Sequence, residues 1–258
     1  MGIKTKFLTA LFLVLTVIMA NAQEMSATYI IPDDTPIHIS DAVESNARTD
    51  EQRARDIGRK PAEVLTLAEL NEGDNVIELA SIGVYYTDIL VEAVGDGHVY
   101  MMDMPWTDRI GGDVAREFDD AHDNATYIQA HYNEVQFPED VDLVTNVLFY
   151  HELIREIPSG NVDRSGLNQK IYAALKPGGI YLVIDHNAEA GSGWRDAQTT
   201  HRIDPDVLRE EITAAGFNLE LDSDLLANPE DNHTQRIFQP GMRGNTDRSV
   251  LVFRKPMQ

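Results

Sequence analysis

Asn75-Val-Ile-Glu-Leu-Ala-Ser-Ile-Gly-Val-Tyr-Tyr-Thr-Asp-Ile-Leu-Val-Glu-Ala-Val-Gly-Asp-Gly-His-Val-Tyr-Met-Met-Asp103 is the stretch that decides the fold. A short apolar run from Asn75 to Leu79 has strand length, and a loop of small residues follows it. Residues Val84 to Val94 carry apolar side chains at helical spacing and stop at Gly95. A second strand-like run, His98 to Met102, then begins. Strand, loop, helix and strand within thirty residues describe a βαβ unit, whose two strands lie parallel because the helix carries the chain back across the sheet.

The same alternation continues outward. Further strands are expected at Thr126 to Gln129, Val141 to Val147, Ile180 to Asp185, Asn218 to Leu221 and Ser249 to Phe253, with helices at Gly112 to Asp120, Asn161 to Leu175 and Asp204 to Ala215. Such a series predicts a mostly parallel sheet covered by helices on both faces. Upstream, Gln23 to about Ser40 contains Pro32 and Pro36 without a clear period and reads as an extended arm. Ala42 to Leu70 reads as helix in two pieces, broken near Gly58 to Pro61. Two connections exceed what such a fold needs, His186 to Ile203 and Ser223 to Asn245, and long ordered loops in compact domains tend to carry function. The first leaves the carboxyl end of a strand, where open parallel sheets place their ligands.

The chain has 258 residues, with 21 Lys and Arg against 43 Asp and Glu, a formal charge of −22. A surface this acidic repels phosphate backbones and anionic bilayers, so nucleic-acid and membrane partners are not expected. Cysteine is absent, which removes disulfides, thiolate-bound metals and thiol nucleophiles. Residues 1–22 combine Lys4 and Lys6, an apolar run from Phe7 to Met19, and Ala20-Asn-Ala22, the pattern of a secretory signal peptide cleaved at about Ala22. Loss of those two lysines leaves 19 basic against 43 acidic residues, a net −24 on the exported chain. The expected organisation is a signal peptide at 1–22, an arm and helical extension at 23–60, and one domain at 61–258. A bacterial periplasmic or secreted location is expected.

Four segments carry a family resemblance. Glu78 to Val84 sits where class I S-adenosylmethionine-dependent methyltransferases have their first strand, acid and glycine loop. His98 to Asp103 resembles their second strand, Val141 to Asn146 their fourth, and Leu175-Lys-Pro-Gly-Gly179 the turn into their fifth. In order and at these spacings, the segments resemble that family over residues 60 to 220. A narrower resemblance to exported bacterial members lies in Arg55 to Pro61, Asp185 to Ala188, His201 to Asp204 and Arg243 to Arg248. The resemblance implies an α/β, Rossmann-like class I methyltransferase fold: a seven-stranded, mostly parallel sheet with its last strand antiparallel. It also implies S-adenosylmethionine as cofactor, a small-molecule substrate, and cofactor contacts from Glu78, Ala80, Gly83, Asp103 and Asn146, with Asp103 on the ribose hydroxyls.

The family's loop reads acid-x-Gly-x-Gly-x-Gly, and the matching positions here are Glu78, Ala80, Ile82 and Val84. All three glycines are replaced. Glycine serves there because the backbone approaches the cofactor and takes positive φ, which β-branched residues tolerate badly. The cofactor is also made in the cytosol, away from an exported chain.

Tyr150 and His151 follow the fourth strand, and Asp185 and His186 end the fifth. These strand ends are neighbours in this topology, so both histidines are placed to face one crevice, where imidazole is suited to proton transfer near neutral pH. The long loop returns at His201, while Asp204 before Pro205 reads as a helix N-cap. Tyr150, His151, Asp185, His186 and His201 are therefore the candidate catalytic residues. The three histidines with Asp185 would make a three-nitrogen, one-oxygen metal set, but no two histidines share a short ligand spacing, and no metal is expected on that ground. Trp194 in the same loop reads either as part of a lid or as a packing anchor. Arg53, Arg55, Arg59 and Lys60 read first as helix ion pairs with Glu51, Asp56 and Glu63, and second as an anion site. Three functions remain open: methyl transfer to a small molecule, a methyltransferase fold turned to binding another ligand or protein, and metal-assisted hydrolysis or isomerisation on the histidines.

Overall fold

A computed structural model describes residues 28–257; the signal peptide expected at residues 1–22 lies outside the described residues. Seven strands form one sheet: β1 (Asn75–Leu79), β2 (His98–Asp103), β3 (Ala125–Gln129), β4 (Val141–Val147), β5 (Leu175–His186), β6 (Asn218–Ser223) and β7 (Arg248–Arg254). Their order is β3-β2-β1-β4-β5-β7-β6. The first five strands pair parallel, and β7 runs antiparallel to both β5 and β6. This is the seven-stranded Rossmann-like architecture expected from the sequence.

The central strands are apolar at successive positions because both faces of the sheet are covered. Val76, Leu143 and Leu182 enter one core cluster, and their neighbours Ile77, Val144 and Val183 enter the other. The first layer packs α1 (Ile37–Glu44), α4 (Pro61–Leu67) and α5 (Tyr85–Val94); the second packs α7 (Arg164–Ala174) and α8 (Pro205–Ala214). Short helices α2 (Asp50–Arg53) and α3 (Asp56–Arg59) complete the N-terminal extension, and α6 (Asp113–Ala121) precedes β3. The edge strand β6 alternates exposed and half-buried residues along its length, as suits a strand with one partner.

Several boundaries differ from the sequence reading for local reasons. Helix begins at Ile37, inside the expected extended arm, because Pro36 stands before its first turn while Ile39, Ala42 and Val43 form a buried stripe. Lys60 adopts left-handed backbone, φ 45°, and turns the chain between α3 and Pro61, the first residue of α4. β5 begins at Leu175 because pairing with Val141 continues through the Pro-Gly-Gly turn, with a register shift between Val141 and Leu143. α7 starts later than expected, at Arg164, where the Asp163 carboxylate accepts the Gly166 N–H.

The two long loops contain no helix or strand, yet their interior is fixed. Arg202, fully buried, forms a bidentate pair with the fully buried Asp231, at 2.8 and 3.1 Å, and donates to the carbonyls of Asn187 and Gln235. One ion pair therefore ties the loop after β5 to the loop before β7. Asp231→Asn leaves a buried guanidinium without its counter-charge and is expected to cost about 3–5 kcal/mol. Asp222→Asn, which removes the exposed partner of Arg209, should cost less than about 1 kcal/mol. Urea unfolding of the two variants measures the contrast.

Candidate functional site

The carboxyl ends of β1, β4 and β5 lie side by side, with Leu79 opposite Asn146 and Val147 opposite Ile184. Above them opens a cavity of about 460 Å³, well within the size of small-molecule sites. β1 and its loop supply Glu78, Ala80, Ser81 and Ile82. The segment after β2 supplies Trp106, Arg109 and Ile110, and the segment after β4 supplies Phe149, His151, Glu152 and Arg155. His186 ends β5, His201 comes from the long loop, and Arg59 from the N-terminal extension.

Asp185, fully buried at the end of β5, organises the centre. Its carboxylate accepts the His151 N–H at 2.8 Å, His151 Nδ1 at 2.7 Å and the His186 N–H at 2.7 Å. His151 Nε2 is thereby turned toward Glu152, 3.4 Å away, whose Oε1 also contacts His201 Nδ1 at 2.6 Å. Burial opposes charge on His151, but Asp185 and Glu152 outweigh it and raise its pKa to about 9. Burial likewise opposes charge on Glu152, yet hydrogen bonds from His151 and His201 hold its carboxyl well below the usual range. His186 goes the other way: burial, then the positive charge of His151, lower its pKa well below the imidazole value, and its Nδ1 lies 2.7 Å from Thr246 Oγ1. A charged and a neutral imidazole thus stand with ring centroids 5.9 Å apart, a proton donor beside a proton acceptor.

The structure brings together Glu78, Ala80, His151, His186 and His201 at the cavity, with Asp185 directly behind. It does not bring Tyr150, Gly83, Asp103 or Asn146 to the wall. Tyr150 is buried on the other side of its turn, where its hydroxyl bonds Glu211 and accepts from Asn168. Asn146 is buried and donates to Tyr181. Trp194 stacks on Tyr150 and donates to Glu211, the packing-anchor arrangement, away from the cavity. Asp204 caps α8 by accepting the Asp206 N–H.

Asp103 is 1% exposed and already occupied: its Oδ1 accepts the Ser81 N–H at 2.7 Å and Ser81 Oγ at 3.1 Å. The loop that should carry glycines keeps a left-handed path without them. Ala80, Gly83 and Val84 have φ of 63°, 75° and 47°, and the non-glycine residues bear a cost of about 1–2 kcal/mol each. Gly111 presses on this loop so closely that a Cβ there would stand 3.2 Å from Gly83 N and 3.3 Å from Ile82 Cγ2. The residues present therefore do not fit S-adenosylmethionine in the manner the family resemblance implies. One oxygen of the ribose acid is held by Ser81 inside the protein, the acid is buried and off the cavity lining, and Ile82, packed against Gly111, lines the cavity. The space beside Glu78 and Ala80 is open. Burial raises the Glu78 carboxyl to about 8, against the hydrogen bond from Thr87, so at neutral pH this acid is largely neutral.

Sequence reasoning missed Glu152, Arg155 and the aromatic wall, and named Arg59 only in its second reading, as part of an anion site. Glu152 adjoins His151 and could have been suspected on that ground; the others carry no local signal. Arg59 was expected in helix ion pairs, but Asp56 is taken instead by the buried Arg48 at 2.6 Å and by Tyr85. Arg59 lies over the Tyr85 ring, 4.4 Å from its centroid, with no carboxylate in ion-pair range among the described residues. Arg53 turns to the Ser45 carbonyl and Lys60 to that of Leu225. Arg248 donates to the Thr246 carbonyl, and Asp247 beside it holds His233 and Asn187.

No protein-family model and no curated protein matches the chain. Solved structures do resemble it in fold. An S-adenosylmethionine-dependent methyltransferase from Mesorhizobium loti superposes with a TM-score of 0.52 at 15% identity, over 74% of this chain and 95% of that one. One from Aquifex aeolicus gives 0.50 at 17%, over 74% and 87%. The [4+2]-cyclase SpnF gives 0.55 at 17%, over 83% and 86%. At these identities the likeness establishes the class I methyltransferase fold.

The Glu78 environment has a measurable consequence. Because its folded pKa of about 8 lies above the ordinary 4.5, the folded state holds more protons than the unfolded state between those values, and stability falls as pH rises through that window. Glu78→Gln, which keeps an acceptor for Thr87, removes that loss. The stability of the variant relative to the parent should grow from pH 5 to pH 8, as read by chemical unfolding at each pH.

Proposed function

We propose that this chain is an exported bacterial protein that uses a methyltransferase fold to bind an anionic small molecule with an aromatic or apolar body, without taking S-adenosylmethionine. The observation that carries this reading is the engagement of Asp103 by Ser81, which withdraws the acid that the resemblance assigns to the ribose. The leader at residues 1–22 supports export, to a compartment where that cofactor is not made.

The ligand class follows from the cavity walls. Arg59, Arg109 and Arg155 point the site toward anions, and of its two carboxyls Glu78 is largely neutral while Glu152 is neutralised by its histidines. Trp106 stacks on Phe149 with centroids 5.7 Å apart, and Arg155 covers the Trp106 ring at 4.6 Å. Such surfaces take flat apolar groups, with the guanidinium adding a cation–π contribution. The overall charge of −22 does not forbid an anion here, since charges beyond about 8 Å are screened at physiological salt. The negative surface instead selects against large polyanions.

A second reading, methyl transfer with a differently seated cofactor, is favoured by the open space beside Glu78 and Ala80. Calorimetry separates the two: no heat is expected from S-adenosylmethionine or S-adenosylhomocysteine at millimolar concentration, and saturable binding of either would sink the first reading. Ligand-observed NMR with benzoate and its uncharged methyl ester tests the ligand class. The carboxylate should bind more tightly, and Arg59→Met should weaken it by roughly tenfold, the effect of one hydrogen bond to a charged group.

A further inference from the structure

We infer that His151, Glu152 and His201 form a binding site for one divalent transition metal ion, zinc by preference, facing the cavity. This goes beyond the ligand reading and does not depend on it. Each residue offers one ligand atom, and the three atoms lie within 4.8 Å of one another. Two imidazoles and one carboxylate form a donor set that suits zinc, and three protein ligands leave a coordination position open. The three residues line the same cavity as Arg59 and Trp106, so an oxygen donor on an anion bound there could complete the shell.

The surroundings are built as a metal site requires. Asp185 holds His151 Nδ1 at 2.7 Å, which leaves Nε2 as the free ligand atom, the carboxylate–histidine arrangement that orients metal ligands. Glu152 is steadied by Arg155, 3.1 Å from its second oxygen. His201 takes left-handed backbone, φ 59°, a conformation that persists in a non-glycine residue only where neighbours over-determine it. The neighbour that does so is Arg202, locked to Asp231. His201 is therefore set beside a buried ion pair, with its Nδ1 2.6 Å from Glu152 Oε1.

Without metal, a proton joins His201 Nδ1 to Glu152 Oε1 across 2.6 Å. A cation would replace that proton, release the Nε2 proton of His151 to solvent as well, and widen the contact to about 3.3 Å, the edge of a tetrahedron with bonds of about 2.0 Å. The ring's remaining proton would then sit on Nε2, and the exposed Arg236, now 3.3 Å from that atom, would turn away.

The test uses untagged full chain stripped with EDTA. Zinc titration by calorimetry should show one equivalent bound at micromolar affinity or tighter, and cobalt should give the visible bands of a tetrahedral site. Glu152→Gln and His201→Gln should each weaken zinc at least tenfold while keeping the circular dichroism of the parent. His233→Gln, which alters a histidine–aspartate pair elsewhere, should leave binding unchanged. Asp185→Asn should weaken zinc by about 10–100-fold at unchanged stoichiometry, as loss of an orienting carboxylate does. No stoichiometric uptake by the parent, or uptake equal in Glu152→Gln and His201→Gln to that of the parent, overturns the site. Benzoate binding to the stripped protein reports on the ligand reading separately.

Discussion

A single carboxylate, that of Asp185, sets the geometry on which the cavity depends. It is fully buried and accepts three hydrogen bonds, two from the turn after β4 and one from its own strand end. In so doing it joins the neighbouring ends of β4 and β5, orients one imidazole and holds its positive charge. Glu152 then faces that charge, and His201 faces Glu152. A carboxylate left without partners at this depth would be strongly unfavourable, so the turn carrying His151 has little freedom to move. Around it the long loop is held by a different device, the Arg202–Asp231 pair, which acts on the loops and leaves the sheet untouched.

The cavity carries local charge of the opposite sign to the molecule. A chain with twice as many acids as bases places arginines from three separate segments on one wall, while its carboxyls there are neutralised by burial or by histidine. The N-terminal extension matters for this reason: α3 contributes Arg59, and Arg48 binds Asp56 so that Arg59 is free to lie over Tyr85. Gly58 lies close against the loop before β7, where a Cβ would meet the Gly244 carbonyl at 2.9 Å. The extension is packed into the first core layer through Ile39, Ala42 and Val43, and so is part of the site's wall.

The loop after β1 shows what replacing glycine did and did not change. Ala80 and Val84 keep left-handed backbone, so the chain's path survives the loss of the residues that make it easy. In this loop Ser81 satisfies Asp103, and Ile82 packs on Gly111. Asp103 has an internal partner, and displacing Ser81 would leave a buried carboxylate without it.

The sequence by itself determined the sheet, because each central strand is a short, nearly continuous apolar run between a helix end and a turn, as strands covered on both faces are. It also located His151, Asp185, His186 and His201 at neighbouring strand and loop ends, since topology makes those ends meet. Tertiary structure decided what the residues do there. Whether Asp103 faces a ligand or Ser81, whether Asp56 pairs with Arg59 or Arg48, and whether Tyr150 turns toward the cavity or toward Glu211 are choices among partners distant in the chain. Secondary structure is governed by neighbours along the sequence, which can be read in order. Side-chain pairing and charge at depth are governed by neighbours in space, and these exist only once the sheet, the extension and both long loops have closed around the same cavity.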